Sequence, residues 1–408
     1  MTAYKVGILT EHFIKWGGGV DFIRLIVKGL ASLNTNEVSQ KVKLYILIPK
    51  HPRHKIKIRN FVKTLLNFCF NKKYSIIKEI DIAQIIKSFK EVDSNIEICF
   101  YVNLDKNLRK QVLKNQIDFI IPVFVPLPTN FPVPWVGYLY DFQHKYYPQF
   151  FSAEEIASRD KDFVIMLNTA NTVIVNAISV KTDIDYFIGR TNAKVVTLPF
   201  CPVLNPIYFN LDVDLDLYKL PKNYFMISNQ FWRHKDHITA IKAFKLFLDQ
   251  QTNKNFGLVC TGQTQDNRVP HYFDEIIALI DHLGLKDNVN ILGFLPKNEQ
   301  LQILKQSVAL VQPTLFEGGP GGFAVYESVA FGIPSIVSDI SVNQELDDET
   351  VRFFKTGDAE DLAQKMKLVC ESPKKEYSNQ ELIDKNKKSL VKLGNEILNI
   401  FKDNNIAN

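Results

Sequence analysis

Glu317 and Glu327 stand on either side of a stretch that holds four glycines in five positions, Gly318, Gly319, Gly321 and Gly322. An apolar helix pattern carries Glu327, Gly332-Ile-Pro334 breaks it, and a β-rich run over 335–337 follows. A glycine-rich loop that feeds a helix offers free backbone N–H groups and the positive end of the helix dipole to an anion. Two ionised carboxylates beside it suit a neutral, hydroxyl-rich group, because they accept strongly from O–H donors. Phosphate joined to polyol is the chemistry of a nucleotide sugar. The amides of Gly321, Gly322, Phe323 and Ala324 are expected to face its oxygens.

Three further stretches carry polar groups between a strand pattern and a helix pattern. Residues 224–244 run strand, polar turn, helix, with Arg233, His234 and Lys235 in the turn. Gly17 to Gly19 precede the first helix pattern, which makes a second anion-ready loop with Gly18 and Gly19 in it. Tyr140-Asp-Phe-Gln-His-Lys-Tyr-Tyr147 follows a strand, where Asp141 suits either orienting His144 or binding acceptor hydroxyls and Tyr146 and Tyr147 suit stacking on a sugar ring or a lipid. The carboxylate pairs Asp183/Asp185 and Asp212/Asp214/Asp216 fall in a helix pattern and in a linker, so no metal site is expected.

The elements that position these groups alternate β and α, the pattern of parallel sheets with crossover helices. Strands are expected at 5–9, 43–48, 97–102, 119–123, 135–139, 172–175 and 195–198, then at 224–228, 257–260, 289–292, 309–312 and 335–337. Helices are clearest at 20–30 and 178–188. A shift in composition near 201–217 reads as a linker, dividing the chain into 1–205, 206–373 and a helical tail, 374–408. This is α/β architecture with ligands at the C-terminal strand ends. The 408 residues are 46% apolar and 23% charged, which argues against disorder. Five scattered cysteines fit reduced thiols in a cytoplasmic protein. No secretory signal is read, and five prolines between 119 and 140 exclude a spanning helix there.

Charge is uneven: residues 1–150 carry 22 basic and 11 acidic side chains, and residues 151–408 carry 27 and 33. The basic excess peaks in 51–73, where Arg53, Lys55, Lys57, Arg59, Lys63, Lys72 and Lys73 alternate with apolar residues. It reads as a solvated surface helix, with a peripheral contact to an anionic membrane as the alternative. Nucleic acid is not an expected partner, since the second half is acidic.

The 313–340 stretch resembles the donor site of the retaining family-4 glycosyltransferases, which have the GT-B fold of two Rossmann-like domains facing across a cleft. That family separates its two glutamates by seven residues, and here nine intervene. The resemblance implies transfer of a sugar, with retention, from a nucleoside-diphosphate sugar to a hydroxyl of a glycan or lipid-linked acceptor. A polysaccharide or glycolipid product would follow, with no cofactor and a hexosyl type of transfer. It further implies that Glu327 binds the ribose, that Glu317 sits by the transferred sugar, and that Lys235 neutralises the diphosphate. Gln230 occupies a position where the family has arginine, so Arg233 is the candidate for the second cation. His144 matches a histidine near donor sugar and acceptor. In this reading the first domain takes the acceptor and the tail returns to it. The alternatives are a GT-B epimerase or hydrolase, or a non-catalytic sugar-nucleotide or glycan-binding protein.

Overall fold

The computed structural model describes residues 3–15, 17–34, 42–50, 81–102, 104–252, 255–266, 268–373 and 375–406. The basic 51–73 stretch, with its membrane reading, lies outside the described residues. Two parallel sheets form the frame. The first contains β1 Tyr4–Leu9, β2 Val42–Pro49, β3 Glu97–Tyr101, β4 Phe119–Val123, β5 Trp135–Tyr138, β6 Thr172–Val175 and β7 Lys194–Thr197, in the order β3-β2-β1-β4-β5-β6-β7. The second contains β8 Asn223–Ser228, β9 Phe256–Thr261, β10 Val289–Gly293, β11 Ala309–Gln312, β12 Ser335–Ser338 and β13 Val351–Phe354, in the order β10-β9-β8-β11-β12-β13. Both orders reverse beside their first strand, at β1/β4 and at β8/β11. That reversal opens a crevice at the C-terminal strand ends.

Strands buried on both faces explain the continuous apolar runs in the sequence. All five residues of β4 and all four of β11 are buried. One expected element differs in kind: β13 has no counterpart in the strand pattern. It is a four-residue edge strand in which the exposed Arg352 interrupts the short apolar stretch.

The helix Asn379–Ile406 crosses back and packs on the helix Gly17–Ala31 of the first domain. Leu393, Ile397, Leu398, Ile400 and Phe401 join the first domain's core there. At the crossing a Cβ on Gly394 would stand 2.2 Å from the carbonyl oxygen of Gly29, so only glycine lets the helices approach. Among the described residues no helix is long and apolar enough to cross a membrane.

The domains also touch through a charge. Glu345 of the second domain accepts from the N–H groups of Ile178 and Ser179, both at 2.7 Å. It thereby caps the helix Ile178–Phe187, whose own N-cap residue, Ala177, supplies no side-chain bond. Glu345→Ala should cost about 1–2 kcal/mol of domain contact. We expect a lower melting temperature and a larger radius of gyration by solution scattering. An unchanged radius would show that other contacts hold the domains together.

Candidate active site between the two domains

The C-terminal strand ends of the two sheets face each other across a cleft of about 1130 Å³. The glycine loop closes its floor. It approaches the first domain so nearly that a Cβ on Gly318 would stand 2.7 Å from the Tyr140 carbonyl oxygen. Gly321 takes a φ of +67° and leads into the helix Gly322–Ala330 with no side-chain cap. The helix N-terminus, with Gly322, Phe323 and Ala324, lines the cleft. Asn343 fixes the turn by accepting from the Gly321 N–H at 2.8 Å.

Lys235 ends the short turn Arg233–Lys235, just before the helix His237–Asp249. Its ammonium is buried against Glu317 in a contact ion pair. Gln312, at the end of β11, orders that pair. Its amide donates to Glu317 and to the Gly321 carbonyl, each at 2.9 Å, and its oxygen accepts from Asn229 at 2.6 Å. The Leu315 N–H donates to the His234 carbonyl at 2.7 Å, which ties the glycine loop to the lysine turn.

Glu327 sits deeper, and its side chain is 9% exposed. Lys297, the first residue of the helix Lys297–Gln306 that follows β10, forms an ion pair with it, and the Gln300 amide donates to its other oxygen at 3.2 Å. The same amide reaches the Ser228 hydroxyl at 3.1 Å, which links this corner to the end of β8.

The structure therefore brings Glu317, Glu327, Lys235, Gln230, Gly18, Gly321, Gly322, Phe323, Ala324 and Asp141 into or against one cleft. Gly18 arrives differently from the sequence expectation. The helix begins at Gly17, so the triplet forms its first turn rather than a loop, and Gly19 is buried.

Two candidates lie elsewhere. Arg233 points away from the cleft, where one guanidinium nitrogen, Nη2, donates to both carboxylate oxygens of Glu275 at 2.6 and 2.7 Å and the guanidinium covers the Tyr272 ring. His144 is buried beneath the first domain's wall. Its Nε2 donates to Asp160 at 3.0 Å, and its Nδ1 accepts from Arg159 at 3.3 Å. Burial holds its pKa below the ordinary value against the pull of Asp160, so the ring is neutral with both nitrogens used. The short helix Gln143–Tyr146 decides this, since it turns Gln143 and not His144 to the cleft.

Tyr146 and Tyr147 seal the domain junction. Tyr146 donates to Asp183, Tyr147 donates to the Leu315 carbonyl at 3.3 Å, and both rings meet Phe316. Asp183 is thus engaged by a tyrosine, and Asp214 accepts from the Asp216 N–H at 2.9 Å inside the linker. Among the described residues no group of three or more His, Cys, Asp or Glu side chains is gathered for a metal.

Sequence reasoning missed Lys297, Gln300, Asn229, Gln312 and His234. His234 lines the cleft with its Nδ1 buried and unbonded, and burial, reinforced by Lys235 and Arg268, pushes its pKa down to about 2. It stands in the cleft as a neutral imidazole.

The family model described as glycosyl transferases group 1 matches residues 217–389, which span the whole second sheet. No curated protein sequence matches the chain. Among solved structures, a glycosyltransferase from Rickettsia africae superposes with a TM-score of 0.62 at 14% identity, over 99% of each chain. The Anabaena protein HepE, in complex with UDP and glucose, gives a TM-score of 0.60 at 15% identity, over 98% of this chain and 100% of that one. A lipopolysaccharide outer core galactosyltransferase, WaaB, gives 0.55 at 14% identity, over 98% and 99%. The chain has the GT-B fold, two Rossmann-like domains facing across a cleft, and its second domain matches the glycosyl transferases group 1 model.

Proposed function

We propose that this protein is a glycosyltransferase that moves a sugar from a nucleoside-diphosphate sugar to an acceptor hydroxyl, with retention of configuration. The observation that carries this reading is one wall of the cleft. An uncapped helix N-terminus, Glu317 and the buried Glu327 lie there within a single helix and its preceding loop, and Lys235 reaches Glu317 from the turn Arg233–Lys235. The group 1 match covers that wall. HepE, of similar fold, was solved with UDP and glucose.

In this reading the acceptor oxygen forms a bond to the anomeric carbon while the bond from that carbon to the phosphate oxygen breaks. The electron pair leaves with the nucleoside diphosphate, whose oxygen also takes the acceptor proton. Lys235 and the helix N-terminus stabilise the charge that develops on the leaving group. Glu317 stabilises positive charge on the sugar or accepts from its hydroxyls, and Glu327 accepts from the ribose hydroxyls. Asp141 stands on the acceptor side and accepts from the Gln143 N–H at 2.9 Å. His144 has no place in these steps, because both ring nitrogens are already bonded. Catalysis is then positioning with electrostatic stabilisation. The acceptor belongs to polysaccharide or glycolipid synthesis in this proposal, with a cytoplasmic enzyme that takes a hexosyl donor.

A donor panel tests it. UDP-, GDP-, ADP- and dTDP-sugars are incubated with the protein and simple glycan acceptors, and nucleotide release is followed beside Glu327→Ala. Release from one donor, lost in the variant, is the expected result. Tight binding without release, with or without acceptor, would identify a sugar-nucleotide-binding protein instead.

A further inference from the structure

Among the described residues that line the cleft, two ammonium groups, Lys235 and Lys297, meet three carboxylates, Asp21, Asp141 and Glu317, and a fourth, Glu327, stands behind Lys297 as its partner. His234 adds no charge, and Arg233 is held outside by Glu275. Both lysines are already committed to a carboxylate. This excess of negative charge repels a diphosphate unless binding rearranges the ion pairs. One lysine is also a small complement for an anion of two or more charges.

We propose that Lys297 is the second phosphate-side cation of this site, and that it leaves Glu327 when a nucleoside diphosphate binds. The inference rests on the donor-site reading above. Lys297 is the more exposed member of its pair, since its side chain is 44% exposed and that of Glu327 is 9% exposed. It is the first residue of the helix Lys297–Gln306, so its stem can swing without disturbing a packed helix face. Glu327 stays put because Gln300 holds its second oxygen. The exchange leaves no charge bare. Ribose hydroxyls replace the ammonium at the carboxylate, and phosphate replaces the carboxylate at the ammonium. Losing one partner without a substitute is what makes a buried ion costly, and here neither ion loses one. The pair is therefore the resting form of a site that its ligand reorganises.

Titration calorimetry on the full chain tests this with wild type, Lys297→Met and Lys297→Arg. Each is titrated with UDP, GDP, ADP and dTDP, then with the monophosphate and nucleoside of the base bound most tightly. Lys297→Met should weaken the diphosphate by about 10- to 100-fold, the span of one charge-assisted hydrogen bond. The monophosphate should lose less, and the nucleoside should be unchanged or tighter, since Glu327 is freed for it. Lys297→Arg should recover most of the diphosphate affinity. An equal loss across the three ligands would overturn the proposal and leave Lys297 as a support for Glu327 alone. So would an unchanged diphosphate affinity in Lys297→Met. If wild type binds none of the four diphosphates, the donor-site reading fails and this inference falls with it.

Discussion

Lys235→Ala is expected to lower kcat/KM for sugar transfer by about 10²- to 10³-fold, the usual effect of removing one preorganised positive group from the developing charge. The same variant should also be less stable. Lys235 and Glu317 have side chains 9% and 11% exposed, and removing the ammonium leaves a buried carboxylate with only the Gln312 amide. A buried pair broken in this way costs about 3–5 kcal/mol. The two effects separate in a double variant, Lys235→Met with Glu317→Gln, in which no buried charge is stranded. Its unfolding midpoint should return close to wild type while its rate stays low. Initial rates with the donor found by the panel, beside urea unfolding curves, give both readouts. A single variant with activity within threefold of wild type would remove Lys235 from the leaving-group site.

The second large effect is expected at an uncharged position on the cleft wall, with Gly262→Ala. Gly262 follows β9 with a φ of +132°, and a Cβ there would stand 2.0 Å from the Asn229 carbonyl oxygen. Strain in a glycine-only backbone region and forced overlap with backbone each cost about 1–3 kcal/mol. Relief would come by moving Asn229. That residue holds Gln312, which in turn holds Glu317 and the glycine turn. Stability should fall by about 2–5 kcal/mol, with a loss of transfer out of proportion to the unfolded fraction. Gly284→Ala is the control. Its φ of +67° is also positive, but nothing lies within 4 Å of the added Cβ. It should cost about 1–2 kcal/mol and leave transfer intact. Equal losses in the two variants would show that backbone strain alone matters and that the Asn229 relay does not.

The fold is legible because most strands carry a short apolar run between turn signals, and twelve of the thirteen described strands fall within that pattern. Edge strand β13, with Arg352 in its middle, does not. The donor wall is legible for a different reason. Glu317, the glycines and Glu327 lie within eleven consecutive residues, so loop and helix bring them together without help from topology. Asn229 and Gln312 come from the ends of β8 and β11, Lys297 and Gln300 from the first turn of the helix after β10, and only the strand order makes them neighbours. Arg233 and His144 show the opposite limit. Within a short turn or a single helical turn, adjacent residues point to different faces, and partners distant in sequence, Glu275 and Asp160, decide which face each takes.

The return of the helix Asn379–Ile406 to the first domain has a consequence for how the protein is made. Residues near 393–401 complete a core that begins with Val6 and Ile8. On the ribosome, the first sheet emerges roughly 200 residues before those side chains, a gap of about 10–40 s at ordinary elongation rates. For that interval the helix Gly17–Ala31 has no partner for the face that Leu393 and Ile397 will cover. The domain synthesised first is thus the one finished last, and its exposed groove is open to chaperones until the second domain has already formed.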